Sequence, residues 1–106
     1  MRNKVIIIPA FNEEKNIEKC ISNFIKIADI IVIDDGSNDK TKVIAERNNA
    51  YVLSHFKNLG YDKAITSGFI EAIKLNYQYI VTADADGQHQ NKDIEKCFNL
   101  LEKRNV

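Results

Sequence analysis

The chain has 106 residues and a mass of 12.1 kDa, enough for one hydrophobic core and one domain, 1–106. Lys plus Arg and Asp plus Glu stand at 15 each, so no net charge draws it toward nucleic acid or an anionic surface, and no nucleic-acid partner is expected. No apolar run approaches the ~20 residues that span a bilayer, and Arg2 and Lys4 precede too few apolar residues for a signal peptide; the expected location is the cytoplasm or the cytoplasmic face of the membrane.

Taken in order, strands and helices alternate. Residues 4–9 form a continuous β-branched run that ends in the only proline and reads as a strand buried on both faces. Over 15–28, Ile17, Cys20, Ile21, Phe24 and Ala28 recur at helical spacing, with Asn12 as the expected N-cap and Glu13 and Glu14 where the helix dipole favours negative charge. Residues 30–33 form a second strand that runs into six consecutive turn formers, Asp34, Asp35, Gly36, Ser37, Asn38 and Asp39. Asp39 then caps a short helix over 40–49 with Val43 and Ile44 turned inward, and residues 51–53 make a brief strand placed at the sheet edge.

A polar loop, 55–62, leads to a helix over 63–75, capped by Asp62, with Ile65, Phe69, Ala72 and Ile73 inward and Gly68 allowing close packing. The fourth strand, 77–83, carries Asp84 and Asp86 on its lip, followed by Gly87, Gln88 and His89. A last helix, 92–103, shows an apolar stripe of Ile94, Cys97, Phe98 and Leu101. Cys20 and Cys97 lack metal-ligand spacing and read as small core hydrophobes.

The order β-α-β-α-β-α-β-α with right-handed crossovers predicts an α/β, doubly wound, mostly parallel sheet with spatial strand order 3-2-1-4. The first and fourth strands are then neighbours at the switch point, and ligands bind beyond the carboxyl ends of such strands. Asn12 and Glu13, Asp34 and Asp35, and Asp84 and Asp86 would share one rim. Carboxylates gathered there repel one another unless a cation or hydrogen-bond donors offset the repulsion. Two acids one residue apart, followed by an amide oxygen at Gln88, make a set of hard oxygen ligands suited to Mg²⁺ or Mn²⁺. That pattern suggests a metal holding a diphosphate.

Four runs resemble, in order, the motifs of family 2 glycosyltransferases. They are Ile8-Pro9-Ala10-Phe11-Asn12-Glu13-Glu14; Val32-Ile33-Asp34-Asp35-Gly36-Ser37 with Thr41; Asn58-Leu59-Gly60 leading to Ala64 and Gly68; and Asp84-Ala85-Asp86-Gly87-Gln88-His89. The likeness is to the polyprenyl-phosphate branch, similar to dolichol-phosphate mannose synthases, and it implies the GT-A fold. By position it implies that Pro9, Phe11 and Glu13 line the nucleotide pocket, and that Ile33 and Asp35 contact the base or ribose. It further implies that Asp84, Ala85 and Asp86 form the Asp-x-Asp element, with Asp84, Asp86 and Gln88 as metal ligands.

The implied donor is a UDP- or GDP-linked sugar, the cofactor Mg²⁺ or Mn²⁺, and the acceptor class a lipid phosphate. The chain departs from the family pattern at Asp62, where a second glycine is common, and at Gln90 and Asn91, where an acid or proline is usual. His89 and, less so, His55 are minor candidates for the site. In this family the acceptor site and any catalytic base come from a later half. The expectation is therefore the nucleotide-binding half of a truncated GT-A domain, with catalytic residues unknown and little turnover on its own.

A fourth strand without a further neighbour would leave an apolar edge, and self-association through that edge is expected. The alternative is a non-catalytic nucleotide-sugar-binding or structural module. A response-regulator-like phosphoacceptor would need its acidic pair where Pro9 stands, and a sugar nucleotidyltransferase would need a glycine-rich, arginine-containing loop in place of Ala10, Phe11 and Asn12.

Overall fold

In the computed structural model, which describes residues 2–86 and 90–104, Lys4–Ala10 forms the central strand, β1. The chain continues through α1 (Ile17–Phe24), β2 (Asp29–Asp34), α2 (Thr41–Arg47), β3 (Tyr51–Ser54), α3 (Tyr61–Lys74), β4 (Tyr79–Thr82) and α4 (Asn91–Arg104). All pairings are parallel and the spatial order is β3-β2-β1-β4, as the crossover argument requires.

Successive β1 side chains point to opposite faces. Ile6 and Ile8 enter a core shared with Ile17, Ile21 and Phe24 of α1 and Phe98 of α4. Val5 and Ile7 enter a second core beneath Ala64 and Ala72 of α3. Both faces are covered, which is why β1 and β2 read as unbroken apolar runs.

Pro9 sits inside β1, not at its end. The β1–β2 ladder extends to Ala10 opposite Asp34, whereas the β1–β4 ladder stops at Ile7 opposite Thr82. Ile7 O accepts from Ala83 N on the β4 side. Pro9, two residues on, faces the same side, where β4 has already ended, so its missing N–H leaves no partner unmet. The early end of β4 opens the sheet at the switch point.

Helix boundaries and faces differ from the sequence reading in specific ways. Asn12 is not the N-cap of α1: it adopts a left-handed conformation, φ 53°, and a turn in which Asn16 and Ile17 both donate to Glu13 O delays the helix to Ile17. α2 buries Thr41 and Ala45, with Ile44 half-buried and Val43 exposed. α3 begins at Tyr61 with Gly60, not Asp62, at its N-cap.

The inward face of α3 is the seam Ala64, Gly68 and Ala72; Phe69 and Ile73, expected inside, are exposed, and Ile65 is half-buried. Small residues won this face because the helix lies close on the sheet: a Cβ at Gly68 would stand 2.4 Å from Ile7 Cγ2. Larger side chains are displaced to the neighbouring positions.

Cys20 is buried as expected, but Cys97 is exposed, and α4 buries Ile94 and Phe98 without Leu101. The reason lies in β4. Its outer margin is open among the described residues, and Phe69, Ile80, Cys97, Leu100 and Leu101 line an apolar groove of about 480 Å³ beside it.

Gly68→Ala should destabilise the protein even though alanine favours helix by about 0.8–1 kcal/mol. The buried methyl has no room, and overpacking of this kind costs about 1–3 kcal/mol. A fall in the urea midpoint with unchanged m-value is the expected result, measured by far-UV circular dichroism.

Candidate functional site

The loops that leave β1 and β2 are stitched together before they reach the rim. Asn12 N donates to Ser37 Oγ at 2.9 Å, and Asn38 N returns a hydrogen bond to Asn12 Oδ1 at 2.8 Å. Glu13 N donates to Thr41 Oγ1 at 2.9 Å, and Glu14 N to Asp39 Oδ2 at 3.2 Å. Thr41 is fully buried, and its hydroxyl satisfies a backbone donor of the half-buried Glu13. The polar run after β2 is thus the frame on which the β1 loop is laid.

Asp34 and Asp35 have separate tasks. Asp34 accepts from Ser37 N, three residues on, at 3.1 Å and so pins the turn that follows β2. Asp35 faces the other way: Oδ1 accepts from Leu59 N at 2.9 Å and lies 2.7 Å from His55 Nδ1, and Oδ2 accepts from Gly60 N at 2.9 Å. Burial acts to raise the Asp35 carboxyl, but the hydrogen bonds from His55, Leu59 and Gly60 outweigh it and hold the group below the ordinary carboxylate range.

The segment 57–58 passes directly over Gly36, whose φ is 76°; an added Cβ would meet the Lys57 carbonyl carbon at 2.4 Å. A side chain there would displace the segment that Asp35 holds.

A cleft of about 320 Å³ lies where β1 and β4 diverge. Pro9 and Ala10 line it from the end of β1, Phe11 and Glu13 from the loop that follows, Asp35 from the turn after β2, and Asp84, Ala85 and Asp86 from the lip of β4. Asn58, Gly60, Tyr61 and Ala64 close it on the α3 side. The geometry therefore brings together Pro9, Phe11, Glu13, Asp35, Asp84, Ala85 and Asp86. It does not bring Ile33, which is fully buried in the core beneath α3 and does not line the cleft. Gln88 and His89 lie outside the described residues.

The electrostatics of the cleft are registered by a neighbour. The Cys20 thiol donates to Asp84 O at 3.7 Å. Its pKa is pushed up to about 12, first by burial and then by the negative charges of Asp86, Glu13 and Asp84. Three acids from two loops thus act on one buried point, and the cleft carries a field that favours a cation.

Among the described residues no three His, Cys, Asp or Glu side chains form a ready-made metal cage. Two carboxylates are nevertheless a suitable protein share for Mg²⁺ or Mn²⁺, ions that take the rest of their oxygen shell from phosphates and water. Asp84 and Asp86 fit that pattern.

Sequence reasoning missed Tyr61, quoted Asn58 within a family motif without a role, and missed the role of His55. Tyr61 lines the cleft and its hydroxyl donates to Asp84 Oδ1 at 3.4 Å. Burial and then the Asp84 charge push that hydroxyl's pKa up. The contact of His55 with Asp35 follows from the β2–β3 register, which pairs Asp34 with Ser54 and so sets Asp35 beside His55 one step on.

A family model described as glycosyl transferase family 2 matches residues 5–106. The chain belongs to glycosyl transferase family 2. Among family relatives, it is 36% identical to a UDP-N-acetylglucosamine–dolichyl-phosphate N-acetylglucosaminyltransferase of Methanococcus voltae, over 95% of this chain and 49% of that protein. It is 25% identical to a polyprenol monophosphomannose synthase of Mycolicibacterium smegmatis, over 92% of this chain and 40% of that one.

The fold is similar to glucosyl-3-phosphoglycerate synthase of Mycobacterium tuberculosis crystallised with UDP, with TM-score 0.63 and 27% identity over 85% of this chain and 35% of that one. A crystal of the same enzyme with Mn²⁺, UDP and glucosyl-3-phosphoglycerate gives TM-score 0.62 and 25% identity over 79% of this chain and 33% of that one. The chain spans about half the length, or less, of the curated relatives it matches.

The Asp35 interaction sets a pH dependence with a defined sign. Its lowered carboxyl contributes stability at pH above the unfolded Asp value of about 3.9, and that contribution is lost as pH falls through the lower folded value. Denaturant midpoints measured from neutral to strongly acid pH should therefore fall for the wild type, and fall less for Asp35→Asn, which has no titrating carboxyl there.

Proposed function

We propose that the cleft binds the diphosphate and nucleoside of a UDP- or GDP-linked sugar, and that the chain supplies the donor-binding part of a glycosyltransferase. The observation that carries this reading is the meeting of Glu13, Asp35, Asp84 and Asp86 at the switch point between β1 and β4, where open parallel sheets bind their ligands. The relatives named for polyprenyl or dolichyl phosphate support a lipid phosphate as acceptor class. No helix among the described residues is long and apolar enough to cross a membrane, and a place at its cytoplasmic face accords with such an acceptor.

Each wall has a chemical task. Phe11 and Pro9 offer apolar surface to a base or ribose, and the Ile33 contact suggested by the family pattern would have to come from its backbone. Asp35 Oδ2 accepts a single hydrogen bond among the described residues, which leaves it able to accept a base N–H or a ribose hydroxyl. Asp84 and Asp86, with Gln88, are the proposed ligands of Mg²⁺ or Mn²⁺. A divalent ion held there would supply Lewis-acid neutralisation of the charge that develops on the departing nucleoside diphosphate. No residue of the chain is assigned as general base.

Thermal denaturation with UDP, GDP and their sugars, with and without Mn²⁺, tests this reading. A nucleotide present at a hundred times its Kd should stabilise the fold by about 2.7 kcal/mol. Asp86→Ala should keep the fold and lose the Mn²⁺-dependent part of the shift. Absence of any nucleotide shift in the wild type would refute the proposal. The alternative, a binding module without activity, gives the same shift and is separated from the enzyme by a sugar-transfer assay on the longest natural gene product.

The apolar groove beside β4 supports a second proposal, self-association through that edge. An unpaired strand margin is a template for another strand, and Leu100 is 55% exposed on its flank. Light scattering across a concentration series should show dimers that Leu100→Glu abolishes without loss of helix content. A monomer at every concentration would overturn it.

A further inference from the structure

His55 follows β3 and stands between the donor cleft and α3. Its Nδ1 is 2.7 Å from Asp35 Oδ1, and its Nε2 is 2.8 Å from Ser67 Oγ on α3. The His55 and Asp35 side chains are 11% and 5% exposed. An ionised carboxylate can only accept, so Nδ1 carries the proton, and in the neutral ring Nε2 accepts from the Ser67 hydroxyl. With both nitrogens engaged, the imidazole has none to offer a metal or a substrate.

Its backbone is tied down as well: His55 N donates to Asp34 O at 2.9 Å. The Asp35 carboxylate that the ring touches also receives Leu59 N and Gly60 N, and Asn58 Nδ2 donates to Asp35 O at 3.4 Å. Asn58, Gly60 and Tyr61 form one wall of the cleft. The ring is therefore a strut from α3 to the carboxylate on which that wall hangs.

We propose that His55, braced by Ser67, is a positioning residue for nucleotide binding: it fixes the Asp35 carboxylate so that Oδ2, which accepts from Gly60 N, keeps a second lone pair for the ligand while the Leu59 and Gly60 amides stay clamped. This deepens the donor-binding reading and rests on it. Removing the Nδ1–H donor would let the carboxylate turn and the 57–60 segment loosen, although His55 itself touches no ligand.

The amide groups of asparagine and glutamine separate this role from mere space filling. The Asn Nδ2 group can occupy the place of Nδ1 and keep the bond to Asp35; the Gln group falls nearer Nε2 and loses it. Two measurements are made on the wild type, His55→Asn, His55→Gln and Ser67→Ala. These are NMR amide exchange of Leu59 and Gly60 without ligand, and titration calorimetry with UDP and GDP.

Relative to the wild type, His55→Gln should speed exchange at both amides and weaken nucleotide binding by about tenfold or more, the scale of one charge-assisted hydrogen bond. His55→Asn should restore both to within about threefold, and Ser67→Ala should lie between. The proposal is overturned if His55→Asn and His55→Gln behave alike, or if exchange accelerates while affinity stays unchanged, since His55 would then serve the loop alone. A wild type that binds neither nucleotide while Leu59 and Gly60 exchange still follows the predicted order overturns the donor-binding reading and leaves the strut established.

Discussion

The carboxylate of Asp35 is the constraint from which the rim of the cleft is built. It sits at the end of β2 with little exposure and collects N–H donors from the segment between β3 and α3. A buried carboxylate without such donors would be strongly unfavourable, and with them it becomes a clamp. The clamp works because Gly36 lets the Lys57–Asn58 backbone pass at a distance no side chain would permit. One charge and one missing Cβ together decide where the α3 side of the cleft stands.

The same rim shows how a protein gathers carboxylates without losing the fold. Asp34 and Asp39 are committed to backbone donors of the β2 loop and of the neighbouring β1 loop. Burial acts to raise Asp39, yet its bonds to Thr41 and Glu14 hold it below the ordinary range. The acids that face the cleft, Glu13, Asp84 and Asp86, push the Cys20 thiol upward in concert, after burial. The acids that line the cleft thus act together on one buried thiol, while Asp34 and Asp39 hold the loops behind them.

Family membership and the open margin of β4 bear on each other. The chain corresponds to about half of each of the curated relatives, or less, and its sheet ends in a strand whose outer flank is apolar and uncovered among the described residues. α4 keeps Ile94 and Phe98 inside, while Leu100 and Leu101 remain at the groove. The cleft is lined from the lip of β4 by Asp84, Ala85 and Asp86, and the groove is lined by Ile80, Val81 and Thr82 of the same short strand.

The alternation of elements, the strand order and the convergence of three acidic loops were legible in the sequence, because the periodicity of buried strands and the handedness of crossovers leave few other arrangements. Helix faces were not. α3 turned its small seam, Ala64, Gly68 and Ala72, to the sheet in place of Ile65, Phe69 and Ile73, since the separation of helix and sheet is settled by packing and not by hydrophobicity alone. Asn12 resembled a helix cap but became a left-handed corner, because its partners, Ser37 and Asn38, lie on another loop. Motif positions named the acids of the site. The tertiary structure decided which of them are spent on backbone amides, placed Ile33 below the cleft, and joined His55 to Asp35, because each of these depends on distances between segments that local sequence does not encode.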